Sequence, residues 1–225
     1  MKYYPAFLDI KGKNALVIGG GVVALRKVET LLECGAVVSI ISRELNEELN
    51  RLVKERRVRH KGKRFRDEEL EGMFIVIAAT DEGELNHRIS QTAQKKGLLV
   101  NVVDQPADCN FIVPSIVKRG DLLIAISTSG KSPALARRLR KELETQFTDE
   151  YGLYLELMGR LRERVLKGSD LCLNERSDMF KYLSESRLFD LICKRDLKEV
   201  KSLLRGIVPE YIDSDGIVDE IIKGR

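Results

Sequence analysis

The stretch Asn14-Ala15-Leu16-Val17-Ile18-Gly19-Gly20-Gly21-Val22-Val23-Ala24 reads as an apolar strand running into a glycine turn that opens an amphipathic helix. Such a turn is suited to holding a dinucleotide pyrophosphate. Gly19 allows the tight bend, Gly21 lets backbone N–H groups approach the phosphates, and Ala24 is small enough for close packing of helix on strand. The helix N-terminus favours negative charge. The pattern is G-x-G-x-x-A. Because glycine-rich turns between strand and helix also occur without a ligand, the surrounding sequence has to decide.

Outward from this turn, strand and helix alternate up to about Asn101. A helix is expected from about Val22 to Cys34, with Ala24, Val28, Leu31 and Leu32 on one face and Gly35 as its stop. Val37 to Ile41 follows as a buried strand, then a polar helix from about Glu44 to Glu55. Phe74 to Ala79 is a strongly apolar strand, a helix runs from Glu82 to Lys96, and Leu98 to Val103 is another strand. Continuous apolar strands separated by helices imply a parallel sheet covered on both faces, with ligands at the carboxyl ends of the strands. The pattern then changes. Phe111 to Lys118 and Asp121 to Thr128 flank Arg119-Gly120 as a hairpin. The turn Ser127-Thr128-Ser129-Gly130-Lys131-Ser132-Pro133 leads into a helix from Pro133 to Gln146, with Ser132 as cap and Pro133 in the first helical position. From Asp149 the chain reads as helix. Leu153, Leu157, Leu161 and Val165 repeat at helical spacing, a loop is expected at about Lys167 to Glu175, Ser177 can cap the next helix, and two or three shorter helices follow.

The 225 residues, 43% of them hydrophobic, suffice for one large domain or two small ones with a real core. No apolar run approaches the ~20 residues of a membrane span, and Met1-Lys2-Tyr3-Tyr4-Pro5 lacks a signal core, so a soluble, cytosolic protein is expected. Cys34, Cys109, Cys172 and Cys193 are widely spaced, and His60 and His87 are the two histidines. That pattern argues against a zinc site and for reduced, mostly buried thiols. The net charge of +4 is small, and no aromatic residues interleave the basic ones as a nucleic-acid platform requires.

Asp104 is the sharpest candidate for chemistry. It follows a buried strand at the edge where the glycine turn would hold a cofactor, although a plain turn with Gln105 and Pro106 would use the same residue. Asp81, after Ala78-Ala79-Thr80, lies over that edge too and either contacts a nucleotide or caps the next helix. His87, three residues after Glu84, reads as a surface residue. At the end of the second strand, where an NAD-binding site usually carries an acid, the chain has Ser42-Arg43, with Glu44 one place later. Ser42 could bond a ribose. Arg43 could meet the extra phosphate of NADP or be merely solvated.

Six segments in order, Pro5-Ala6-Phe7-Leu8, Gly19 to Lys27, Ala78-Ala79-Thr80-Asp81, Asn101-Val102-Val103-Asp104, Phe111 to Ser115 and Ser132 to Arg137, resemble precorrin-2 dehydrogenase, the siroheme synthase N-terminal domain family. The likeness covers roughly residues 1–147. It implies an NAD-binding Rossmann-like domain (residues 1–113), a hairpin-and-helix dimerisation segment (114–147) and an all-helical C-terminal region (148–225). It also implies NAD-dependent oxidation of precorrin-2 to sirohydrochlorin by a cytoplasmic homodimer. The family's catalytic aspartate matches Asp104, its glycine turn Gly19, Gly20, Gly21, Val22 and Val23, and its adenosine-binding pair Thr80 and Asp81. A serine of its tetrapyrrole-contacting turn matches Thr128, with Ser127 and Ser129 beside it. Some relatives also insert ferrous iron at the same site, and no separate metal ligand is expected here. Lys118, Arg119, Lys131, Arg137, Arg138, Arg140 and Lys141 give a basic excess suited to a substrate rimmed by carboxylates, with Arg140 and Lys141 read as solvated. Two other functions remain open on the residues. One is a noncatalytic NAD-sensing module, and the other is a chelatase that binds NAD poorly.

Overall fold

The computed structural model describes residues 2–168 and 171–223. The chain divides into two compact units, Met1–Val113 and Pro114–Arg225. The first is a five-stranded parallel sheet in the order β3-β2-β1-β4-β5. Its elements are β1 (Asn14–Ile18), α1 (Val22–Glu33), β2 (Val37–Ile41), α2 (Glu47–Lys54), β3 (Arg59–Gly62), β4 (Ile75–Ala78), α3 (Gly83–Lys95) and β5 (Leu99–Val102), with one-turn 3-10 helices at Asp67–Leu70 and Pro106–Asp108.

Strand side chains alternate between the two faces, and both faces are buried. Ala15, Val17, Val38, Ile40, Ile75 and Ile77 pack on Ala24, Val28 and Leu31 of α1 and on Leu49 and Leu52 of α2. Leu16, Ile18, Ile41, Val76, Val100 and Val102 pack on Ile89 and Ala93 of α3 and on Leu70. Register brings four strand ends into one row, because Ile18 pairs with both Ile41 and Ala78, and Ala78 pairs with Val102.

Two departures from the sequence expectation have local causes. α2 starts at Glu47 rather than near Glu44, since the Asn46 side chain accepts the Leu49 amide at 2.8 Å and so fixes the cap. β3 was not expected because Arg59-His60-Lys61-Gly62 is polar, and an edge strand with exposed side chains carries no apolar signal.

In the second unit, β6 (Ser115–Arg119) and β7 (Leu122–Ile126) form an antiparallel hairpin. The apolar run from Phe111 thus joins the sheet only at Ser115. Gly120 (φ +58°) opens the two-residue turn, and a side chain there would come within 3.1 Å of the Gly152 Cα. Next come α4 (Pro133–Gln146), α5 (Glu150–Gly168), α6 (Leu173–Glu185), α7 (Leu188–Cys193), α8 (Leu197–Arg205) and α9 (Ser214–Lys223). Leu157, Leu161 and Val165 of α5 join Leu183, Leu188, Leu191, Val200 and Leu204 in a single helical core.

Ser177 is not a cap: it lies inside α6. That helix is instead started by Cys172, whose amide donates to the Glu175 carboxylate at 2.7 Å in a capping box. α5 extends through Gly168, so part of the expected loop is helix, and residues 169–170 of it lie outside the described residues. The expected burial of the thiols also fails. All four cysteines are free, but Cys34, Cys172 and Cys193 are exposed and Cys109 is half-buried. Among the described residues no helix is long and apolar enough to cross a membrane.

Candidate functional site

The row of strand ends decides what can meet in the first unit. Parallel strands in register deliver the residues after β2, β1, β4 and β5 to one edge, which places Ser42-Arg43, Gly19-Gly20-Gly21, Thr80-Asp81 and Asp104 side by side.

The three glycines have different reasons. Gly19 has φ +128°, and a Cβ on it would run into the Ala79 carbonyl; one on Gly20 would run into the Glu44 carbonyl. Both are therefore required by the packing of neighbouring loops. Gly21 is not, since its φ is −86° and a Cβ there would meet open space. It is also the N-cap of α1, where no side chain caps the first turn, and Val22 and Val23 beside it are exposed. A bare, uncapped helix start facing solvent has the donors and the room that a pyrophosphate needs.

Around this turn the hydroxyls are already engaged. Ser42 Oγ donates to the Glu44 carbonyl at 2.6 Å, leaving it only acceptor capacity toward a ribose. Thr80 Oγ1 donates to Asn86 Oδ1 at 2.7 Å and accepts the Glu82 amide at 3.2 Å, so Thr80 braces the entry to α3. Asp81 does not cap that helix; it is exposed and has no partner among the described residues. Arg43 is not simply solvated either, for its guanidinium lies 3.3 Å from the Glu82 carboxylate.

Asp104 sits at φ +60°, the left-handed region that few residues other than glycine adopt. It is exposed and has no partner among the described residues. Its loop is pinned at both sides. Cys109 Sγ accepts the Val102 amide at 3.1 Å and donates to the Val102 carbonyl at 3.3 Å. His87 Nδ1 lies 2.7 Å from Asp108 Oδ1, and Ser90 Oγ donates to the Asp108 carbonyl at 2.5 Å. A left-handed, unpartnered aspartate in a fixed loop keeps its carboxylate available while the chain around it bears the strain.

His87 is exposed, as its sequence setting suggests, but its tie to Asp108, far along the chain, has no local signal. Lys27 is not among the expected site residues. This half-buried lysine shares a helix face with Ala24, Val28 and Leu31, a spacing visible in the sequence. Burial pushes its amine below the ordinary lysine pKa, against a smaller opposing effect from Cys109.

In the second unit Ser127, Thr128, Ser129 and Lys131 form the turn between β7 and α4, and Arg137 lies in the first half of α4. Ser129 (φ +55°) and Gly130 (φ +78°) turn the chain. Ser127 Oγ accepts the Ser129 amide at 3.0 Å, and Thr128 Oγ1 accepts the Ser132 amide at 3.1 Å, which leaves both hydroxyl protons for another acceptor. Ser132 Oγ caps α4 on the Leu135 amide at 3.2 Å. The cations separate into two sets. Arg119 is tied to Asp149 at 3.2 Å, Arg138 to Glu142 at 3.3 Å, and Arg140 to Glu144. Lys131 and Arg137 are exposed, with no ion-pair partner among the described residues. No group of three His, Cys, Asp or Glu among the described residues could hold a metal ion.

Comparison with known proteins agrees with this architecture. Residues 6–115 match an NAD(P)-binding family, and residues 119–146 match the family described as sirohaem biosynthesis protein, central. The chain is 38% identical over 204 residues to a siroheme synthase of Mannheimia succiniciproducens, covering 91% of this chain and 43% of that protein. It is 44% identical over 169 residues to a siroheme synthase of Nitrosospira multiformis, covering 73% of this chain and 36% of the relative. The chain thus spans less than half the length of these curated relatives. Among solved structures it resembles SirC, a precorrin-2 dehydrogenase, with a TM-score of 0.74 and 25% identity, covering 89% of this chain and all of that one. With both family profiles in sequence order and a whole solved chain matching the same fold, the protein belongs to the precorrin-2 dehydrogenase family, that is, to the siroheme synthase N-terminal domain family.

Proposed function

We propose that this chain oxidises precorrin-2 to sirohydrochlorin with NAD as hydride acceptor, in sirohaem biosynthesis. The observation that carries the reading is the shared strand-end row, in which an uncapped helix start beside Gly21 stands on the same sheet edge as the unpartnered, left-handed Asp104. Backbone N–H groups of Gly21, Val22 and Val23 hold the pyrophosphate, with Gly19 and Gly20 allowing the turn. Ser42, Arg43, Thr80 and Asp81 border the adenosine half. NAD, when bound, supplies the site that takes up a hydride.

Asp104 acts as general base. Oxidation removes a hydride from the macrocycle and a proton from a neighbouring atom, and the Asp104 carboxylate accepts that proton. Ser127, Thr128 and Ser129 donate hydrogen bonds to the substrate's carboxylates, and Lys131 and Arg137 neutralise them. A second copy of the chain covers the outward face of the hairpin, where Ile116 and Leu123 are exposed on a sheet of only two strands.

Anaerobic incubation with precorrin-2 and NAD, followed in the visible spectrum, tests the reading. Oxidation is expected in the wild type. In Asp104→Asn the rate should fall by about 10² or more, the usual share of a general base, while NADH binding is kept. An unchanged rate in Asp104→Asn removes the base from this residue, and absence of oxidation in the wild type removes the function.

A further inference from the structure

We propose that Glu82 sets the preference for NAD over NADP by holding Arg43 across the end of β1. This rests on the dinucleotide reading of the glycine turn. Arg43 follows β2 and Glu82 precedes α3 after β4, and β2 and β4 are the two strands flanking β1. Their contact at 3.3 Å therefore joins the loops that follow the two strands on either side of the glycine turn, at the edge where an adenosine ribose is read.

Glu82 is free to reach there for a local reason. It is the N-cap of α3, yet its side chain caps none of the helix amides. The turn is closed without it: the Thr80 hydroxyl accepts the Glu82 amide at 3.2 Å and the Asn86 side chain donates to the Thr80 carbonyl at 2.9 Å. The carboxylate that is missing at the end of β2 is thus delivered from α3.

The consequence is discrimination by charge. Arg43 alone would be a good partner for the 2′-phosphate of NADP, since guanidinium matches phosphate geometry. With Glu82 against it, the arginine is already neutralised, and an incoming phosphate meets a carboxylate of its own sign. A neutral 2′-hydroxyl meets no such opposition and can accept one of the remaining guanidinium N–H groups. Both side chains are more than half exposed, so the pair itself adds little stability, and its effect is on the choice of ligand.

Titration calorimetry with NADH and with NADPH tests this without any turnover. The wild type should favour NADH. Glu82→Gln should tighten NADPH about tenfold, or ~1.4 kcal/mol, and move NADH far less. Arg43→Ala placed on Glu82→Gln should abolish the gain. Glu44→Gln, which removes the same charge from an exposed carboxylate next to Arg43, should leave the NADPH to NADH ratio near the wild-type value. An unchanged ratio in Glu82→Gln with NADH still bound overturns the proposal, as does an equal gain in Glu44→Gln. If the wild type binds neither nucleotide, the dinucleotide reading itself fails and the clasp falls with it.

Discussion

The strand-end row of the first unit and the Ser127–Pro133 loop of the second are both suited to anions, by opposite means. At the sheet edge the donors are backbone amides, the helix start is uncapped, and the nearby arginine is committed to Glu82. In the loop the helix start is capped by Ser132, and what is left over belongs to side chains: two hydroxyl protons, with Lys131 and Arg137, which have no ion-pair partner among the described residues. The first device works by shape and the second by charge. Shape defined by backbone contacts leaves no room for an extra atom. Exposed cations add their effects separately and are screened by salt.

The largest effect should come from breaking the shape itself. Gly20→Ala drives a methyl group into the Glu44 carbonyl, and because backbone cannot step aside as a flexible side chain can, a loss of about 3 kcal/mol in the stability of the first unit is expected. Thermal unfolding measures it. Gly21→Ala is the sharper comparison, one residue away. Its backbone suits any residue and its Cβ meets open space, so the unfolding midpoint should stay put while NADH affinity falls about tenfold, ~1.4 kcal/mol. A Gly21→Ala protein that binds NADH as the wild type does would mean that no ligand approaches the start of α1.

The two regions also differ in how much of them the sequence reveals. The buried strands are continuous apolar runs, so Val37–Ile41 is found to the residue, and the register that brings Ile18 level with Val102, and so delivers Gly19 and Asp104 to one edge, follows from parallel strands of similar length. Ser132 and Pro133 announce the start of α4 because cap and first-turn chemistry are local. Contacts between residues far apart along the chain leave no such trace. Nothing near Arg43 names Glu82 as its partner, and nothing near His87 names Asp108. For the same reason the sequence does not show which cations around the hairpin are occupied: Asp149, Glu142 and Glu144 take Arg119, Arg138 and Arg140, the last of which the sequence leaves solvated. Where a cap is unusual, as at Cys172, a commoner capping residue nearby misleads.

The charge device should yield more gently. Arg137→Ala is expected to weaken precorrin-2 binding about fivefold at low ionic strength, ~1 kcal/mol, because one exposed cation among several is lost. Raising the salt toward ~1 M, where the screening length falls to about 3 Å, should shrink the difference between Arg137→Ala and wild type. NADH affinity in the first unit should hardly respond to the same variant. If Arg137→Ala leaves precorrin-2 binding untouched at low salt, the loop does not read the substrate's carboxylates.

The smallest effect separates a half-buried cation from an exposed one. Lys27 lies on the core-facing side of α1, and burial lowers its folded-state pKa below the unfolded value. For a base this means that the protonated form is the one the fold disfavours. At any pH below the folded pKa the lysine withdraws stability in full, and the loss is relieved as pH rises from the folded toward the unfolded pKa. Lys27→Met keeps the aliphatic stem and removes the charge, so a rise of under ~1 kcal/mol is expected at neutral pH. That advantage should shrink through the alkaline range up to the ordinary lysine pKa. Arg137→Met, made on an exposed cation, should show no such pH-dependent gain. Thermal unfolding of both variants across pH measures the contrast, and a Lys27→Met advantage that stays constant with pH would mean that packing, and not desolvation of the amine, sets the stability at this position.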